Sequence, residues 1–178
     1  MNELRSAIRA IEKAIPDARL GLPEELFLLI GRLVPLVNVD LWIRDEAGRT
    51  LFTWRDDDHF GSGWHLPGGV IRFREKAADR VREVARLELD AEVEFDPCPV
   101  HFVESISPHR PNRSHCVSLL FRCRLLTQPS ASLRYTEGQP AAGQWAWHEA
   151  CPAALLEAHE VYRPFLSAPP ASLLPPHR

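Results

Sequence analysis

Long apolar runs are missing from this 178-residue chain. Stretches such as Leu26–Ile30 fall far short of the roughly 20 residues a membrane span needs. An excess of one charge is missing too: 21 Lys+Arg against 24 Asp+Glu leave a net charge of −3. That balance excludes the broad basic face of a nucleic-acid protein, but not a local arginine cluster for a small anion. Cysteine is scarce. Cys98, Cys116, Cys123 and Cys151 form no Cys-x-x-Cys pair and do not reach the density of a disulfide scaffold, so they read as reduced, packed thiols. The opening Met-Asn-Glu-Leu-Arg-Ser has no basic stretch followed by an apolar core, and so does not read as a signal peptide. The expectation is a cytoplasmic protein with neither a membrane nor a nucleic-acid partner.

What is present is ordinary globular composition, 45% hydrophobic and 25% charged. A chain this long can bury roughly 70% of its unfolded surface around one core. Leu4, Ala7, Ile8, Ile11 and Ile15 recur at three- and four-residue intervals, which predicts a helix ended by Pro16. A second helix starts at Pro23, with Glu24 and Glu25 in its first turn, and runs to about Arg32. The period then changes. Val37, Val39, Leu41 and Ile43 alternate with Asn38, Asp40, Trp42 and Arg44, as a strand does. Asp45–Arg49 reads as a turn returning 50–55 as the second arm of a hairpin, with a loop over 56–63. Further strands are expected at 100–105, 115–126 and 144–147, with helices at 75–89 and 153–166. The five tryptophans fall on strands or strand ends and read as core. The order gives an α+β fold. Three segments follow: a helical extension over 1–33, a main domain over 34–166, and a Pro-rich tail over 167–178 that reads as disordered.

The richest stretch is Gly68 to Ala91. Gly68-Gly69 lets the backbone turn sharply and approach a ligand closely. In the helix that follows, Ala77, Val81 and Val84 form one stripe, and Glu88 continues it. A carboxylate on an apolar face needs a cation or strong donors, because an unpaired buried charge is costly. An arginine such as Arg82 or Arg86 could supply the charge, as could a bound ion.

Here the chain resembles the Nudix hydrolases. Their box reads Gly, five residues, Glu, seven residues, Arg-Glu, an aliphatic, any residue, Glu-Glu, any residue, Gly, an aliphatic. Gly69 and Glu75 fit, and in register Glu88 falls on the second residue of the Glu-Glu pair. The box is degenerate: Glu83, Val84, Leu87 and Asp90 occupy its Arg, first Glu, paired Glu and terminal Gly positions. Over about residues 34–165 the chain resembles the GDP-mannose mannosyl hydrolase branch, through Val-Asn-Val-Asp-Leu, Arg55, Trp-His-Leu-Pro-Gly-Gly and Leu-Glu-Leu. The resemblance implies an α/β/α sandwich with a mixed sheet and a Mg²⁺ cofactor. It also implies metal ligation by the Gly68 carbonyl and Glu88 and nucleotide-sugar contacts from Asp40 and Arg55, while the helical extension over 1–33 reads as the dimerisation element of a homodimer. Val70 and Glu83 stand where that branch has arginines, and Ala141-Ala142 where it has a Gln-His pair.

Other candidates come from the residues themselves. Glu83 offers a further oxygen, although five helical residues put it about 140° round the axis from Glu88. The segment Ser107–His115 concentrates Arg110, Arg113 and His109 in a loop, where guanidinium suits phosphate and imidazole titrates near neutrality. These features point to a Mg²⁺-dependent hydrolase of a small-molecule nucleotide, a diphosphate linked to a sugar. The alternative is a Nudix-like domain that binds a nucleotide without turning it over.

Overall fold

The computed structural model describes residues 2–166, so the expected tail lies outside the described residues. In chain order the elements begin with α1 (Asn2–Ala14), α2 (Glu24–Leu33), β1 (Leu36–Ile43), β2 (Thr50–Asp57), β3 (Gly61–His65) and β4 (Gly68–Val70). They continue with α3 (Ala77–Leu89), β5 (Val93–Phe95), β6 (His101–Ile106), β7 (His115–Leu125), β8 (Trp145–His148) and a single turn, α4 (Arg163–Leu166). Short 3₁₀ helices cover Ala18–Leu20, Ala131–Leu133 and Glu157–Tyr162.

The alternation in β1 sorts its side chains between two cores. Val39, Leu41 and Ile43 pack with Val81, Val84, Ala85 and Leu89 of α3. Trp42 joins Phe52, Trp54, Trp64 and Tyr162 on the other face. Because side chains alternate along a strand, Asp40 shares the Trp42 face. β1 pairs in parallel with β7 and antiparallel with β4, where Asp40 lies opposite Gly68. The other edge of β7 carries β6 and then β5, completing a five-stranded mixed sheet. A second, antiparallel sheet has the order β3-β2-β8.

Two expectations change. The turn at 45–49 does not close a hairpin: β1 and β2 belong to different sheets, joined by one isolated bridge between Arg44 and Thr50. The hairpin instead forms between β2 and β3, so most of the expected 56–63 loop is strand, with Asp57 opposite Gly61. The expected helix at 153–166 begins late. Ala154 and Leu156 spend their backbone groups on Trp64 of β3, which holds them extended and leaves only the 3₁₀ turn and α4.

α3 ends where Asp90 adopts a left-handed conformation (φ 51°), the position where the Nudix box has glycine. Its N–H bonds back to the carbonyls of Ala85 and Arg86. α1 buries none of its residues, and Leu4, Ile8 and Ile11 face outward. No helix among the described residues is long and apolar enough to cross a membrane.

Candidate functional site

Close packing of backbone is what builds the site. β4 crosses α3 at Gly69, where a Cβ would press within 3.0 Å of Val84. At Gly68 a Cβ would collide with the Asp40 carboxylate, which occupies that space. From the other side Glu88 reaches the same residue: the Gly68 N–H donates to Glu88 Oε1 at 3.1 Å. Two carboxylates therefore converge on one glycine.

Their settings differ. Asp40 is buried and takes a 2.5 Å hydrogen bond on Oδ2 from the Tyr162 hydroxyl. The buried phenol is pushed strongly upward by desolvation and by Asp40, so it remains a donor. Glu88 has no cationic partner within ion-pair distance among the described residues. Its Oε2 accepts from the Thr53 hydroxyl at 3.1 Å, and burial raises its carboxyl to about 7. The Arg86 side chain, a candidate partner on sequence grounds, pairs with Glu83 instead.

His65 closes the site behind Thr53. Its Nδ1 donates to the Leu66 carbonyl at 2.7 Å, which leaves Nε2 an acceptor 3.1 Å from Thr53 Oγ1, competing with Glu88 Oε2 for the single hydroxyl proton. Burial and the neighbouring His159 hold it neutral. His159 is itself kept neutral by desolvation, and its Nδ1 accepts from the Leu66 N–H.

Two cavities meet at Arg55 and His65. The narrower, about 70 Å³, is bounded by Asp40, Gly68, Tyr162, Arg110 and Arg113. The wider cleft, about 380 Å³, is bounded by Thr53, Asp57, Glu88 and Gly143. The sequence candidates thus divide. Asp40, Arg55, Gly68, Arg110 and Arg113 line the narrow cavity, and Arg55 and Glu88 the wide one. Two candidates are not brought in. Glu83 is held in a two-bond ion pair with Arg86 on the helix surface (2.8 and 2.9 Å), so its oxygens do not join Glu88. His109 is exposed on the loop and lines neither cavity.

Four residues that matter carried no sequence signal of their own: Thr53, Phe60, His159 and Tyr162. A short polar residue in a strand and two residues in a closing helix look like any others until the fold brings them to Gly68. His65, within Trp-His-Leu-Pro-Gly-Gly, is buried.

Magnesium prefers oxygen ligands and is usually held by one or two carboxylates plus substrate phosphates. The Glu88 carboxylate and the Gly68 carbonyl are oxygen donors of that kind, and Glu88 has no cation beside it among the described residues. The described residues contain no group of three or more acidic, His or Cys side chains that would form a cage from protein alone. The set fits an ion shared with a substrate.

No family model matches the chain. It is 35% identical over 81 residues to the low-salt glycan biosynthesis protein Agl8 of Haloferax volcanii, covering 46% of this chain and 50% of that protein. The chain thus spans about half the length of that curated relative. Among solved structures, a UDP-X diphosphatase superposes with a TM-score of 0.53 at 14% identity, over 92% of this chain and 75% of the other. The MutT protein of Methanosarcina mazei Go1 does so with 0.53 at 18%, over 74% and 91%. A Nudix hydrolase of Nitrosomonas europaea gives 0.51 at 11%, over 64% and 72%. With a mixed sheet, a second sheet and α3 packed behind Gly68-Gly69, the chain has the fold of the Nudix hydrolases.

Proposed function

We propose that the protein is a Mg²⁺-dependent hydrolase of a nucleoside diphosphate linked to a second moiety, a nucleotide sugar of the GDP-mannose kind. The observation that carries this reading is the convergence of Asp40 and Glu88 on Gly68 beside a cavity walled by Arg55, Arg110 and Arg113. Two names support it. One fold neighbour is a UDP-X diphosphatase, and the partial relative is named for glycan biosynthesis, a process that draws on sugars activated as nucleoside diphosphates.

Magnesium held by Glu88 and the Gly68 carbonyl would screen the diphosphate charge and activate water. The chain's own residues do the rest. The three arginines neutralise the phosphate oxygens and orient the leaving group. Asp40, fixed by the Tyr162 hydroxyl, accepts hydrogen bonds from the sugar. The Thr53 hydroxyl holds the Oε2 edge of the Glu88 carboxylate. Attack at the sugar carbon releases a nucleoside diphosphate, and attack at phosphorus releases a monophosphate. Hydrolysis in ¹⁸O-labelled water separates the two, because the label appears on the sugar or on the phosphate. A nucleotide-sugar panel with magnesium tests the reading. Turnover of at least one member is expected, and turnover of none sinks it.

A second reading has its own observation. With Glu83 taken up by Arg86 and no three-ligand cluster among the described residues, the domain suits a nucleotide sensor without catalysis. Calorimetry decides: magnesium-independent ligand binding with no turnover favours the sensor. The proposal also includes a homodimer joined through the exposed stripe of α1. Sedimentation of a chain beginning at Leu33 tests it, and an unchanged oligomeric state contradicts it.

A further inference from the structure

Phe60, in the turn between β2 and β3, sits where three arginines meet. The guanidinium carbons of Arg113, Arg110 and Arg55 lie 4.5, 4.6 and 5.1 Å from its ring centroid. They come from β2 and from one loop, brought together by the fold. Three cations around one ring repel one another, and the ring's negative face offsets only part of that repulsion.

Their counter-charges are few. Arg55 has Asp57 at 3.5 Å, and Arg110 has Glu157 at 3.3 Å, itself 70% exposed. Arg113 has no carboxylate within ion-pair distance among the described residues, and its Nε is buried without a hydrogen-bond partner. Burial and Arg55 lower its pKa, in keeping with a cation short of an anion. Ser107 Oγ is likewise buried without a partner, and Ser107 lines the same narrow cavity as Arg113. Buried donors left unmade are costly, so two of them around one cavity call for an acceptor.

The loop is braced for this task. The Ser107 N–H bonds to the Ser114 carbonyl at 2.7 Å across its base. Arg32 of α2 donates to the Asn112 side chain at 2.8 Å. Phe27 of α2 lies under the other side of Arg113 at 5.2 Å. Arg113 itself sits at φ 51°, a conformation rare for a long side chain, and these contacts hold it there.

We infer that Arg55, Arg110, Arg113 and Ser107, gathered on Phe60, form a subsite for one phosphoryl group, with Phe60 as its positioning residue. A cavity of about 70 Å³ is too small for a whole nucleotide, and it shares Arg55 and His65 with the wider cleft beside Glu88. The ligand is therefore an extended one. One phosphoryl group lies on the Phe60 cluster and the remainder runs past Arg55 into the cleft beside Glu88. This assignment rests on the hydrolase reading for the remainder, but not for the phosphoryl group itself.

Titration with inorganic pyrophosphate, without magnesium and at low salt, tests it by calorimetry. The wild-type chain is expected to bind saturably, and more weakly as salt is added. Arg113→Gln is expected to weaken binding by ~10-fold or more, and Phe60→Leu by a smaller factor, because charge-assisted bonds outweigh the groups that position them. Thermal melting of both variants confirms that they are folded. No saturable binding by the wild type, or unchanged binding by Arg113→Gln, overturns the subsite. Sugar-nucleotide turnover without pyrophosphate binding overturns the subsite alone, whereas binding without turnover supports the subsite and overturns the hydrolase.

Discussion

Glu75, ahead of the first turn of α3, and Glu88, in its last turn, are both acidic residues of the resembled box, yet their surroundings have little in common. Glu75 accepts from the Arg80 guanidinium and the Arg72 N–H, both at 2.8 Å, and Arg80 is only 4% exposed. Its charge is fully answered by the protein. Glu88 meets only neutral donors, Gly68 and Thr53, and burial raises its carboxyl to about 7. One glutamate is part of the scaffold. The other has an unanswered charge facing a cleft, which is where a substrate-borne cation would settle.

The largest expected effect comes from breaking the answered pair. Glu75→Gln leaves Arg80 buried without its counter-charge and should cost about 3 kcal/mol of stability, read as a fall in the urea midpoint. A loss below about 1 kcal/mol would place Glu75 outside the scaffold. Next is the partner of Asp40. Tyr162→Phe removes a hydrogen bond to a charged acceptor and should cost ~1.5–3 kcal/mol of stability. On the proposed substrate it should raise KM more than it lowers kcat, and an unchanged KM would remove Asp40 from sugar binding.

A smaller effect separates the two glutamates by pH. The folded chain holds the Glu88 proton more tightly than the unfolded chain, whose carboxyl titrates near 4.5. Its stabilising contribution is therefore present below about 4.5 and lost as pH rises through about 7. His65 and His159 act in the opposite sense: kept neutral by burial, they weaken the fold as pH falls below the usual histidine range. The difference between wild type and Glu88→Gln isolates the carboxyl. Relative to wild type, the variant should gain stability between pH 5 and pH 8, and parallel stability curves would contradict the assignment. The smallest effect lies at the helix end, where Asp90→Gly relieves a left-handed conformation and should add ~0.5–1 kcal/mol.

Much of this site was legible in the sequence because it depends on local patterns. Gly68-Gly69 and the stripe ending at Glu88 lie within one stretch, and periodicity alone puts that carboxylate on the inner face. The strand at β1 and the basic loop at 107–115 were readable for the same reason. The sheet partners were not. Alternation marks the strand-turn-strand pattern as a hairpin whose second arm is 50–55, but nothing local says that the turn at 45–49 carries it into a second sheet. The contact between Tyr162 and Asp40 joins residues 122 positions apart, and the Phe60 cluster draws on α2, β2, a turn and a loop. Such contacts are set by packing of the whole chain, which no short window encodes. Glu83 shows the converse: its spacing allowed a ligand role, and a neighbour one turn away, Arg86, takes it up.

The most direct test is magnesium-dependent turnover of a nucleotide-sugar panel by the wild-type chain and by Glu88→Gln at matched folding. The wild type should hydrolyse at least one member, and the variant should lose ~100-fold or more of that rate, the scale on which a key charge-stabilising group acts. Equal rates in the two proteins, or no hydrolysis by the wild type, would contradict the role assigned to the unanswered carboxylate at the end of α3.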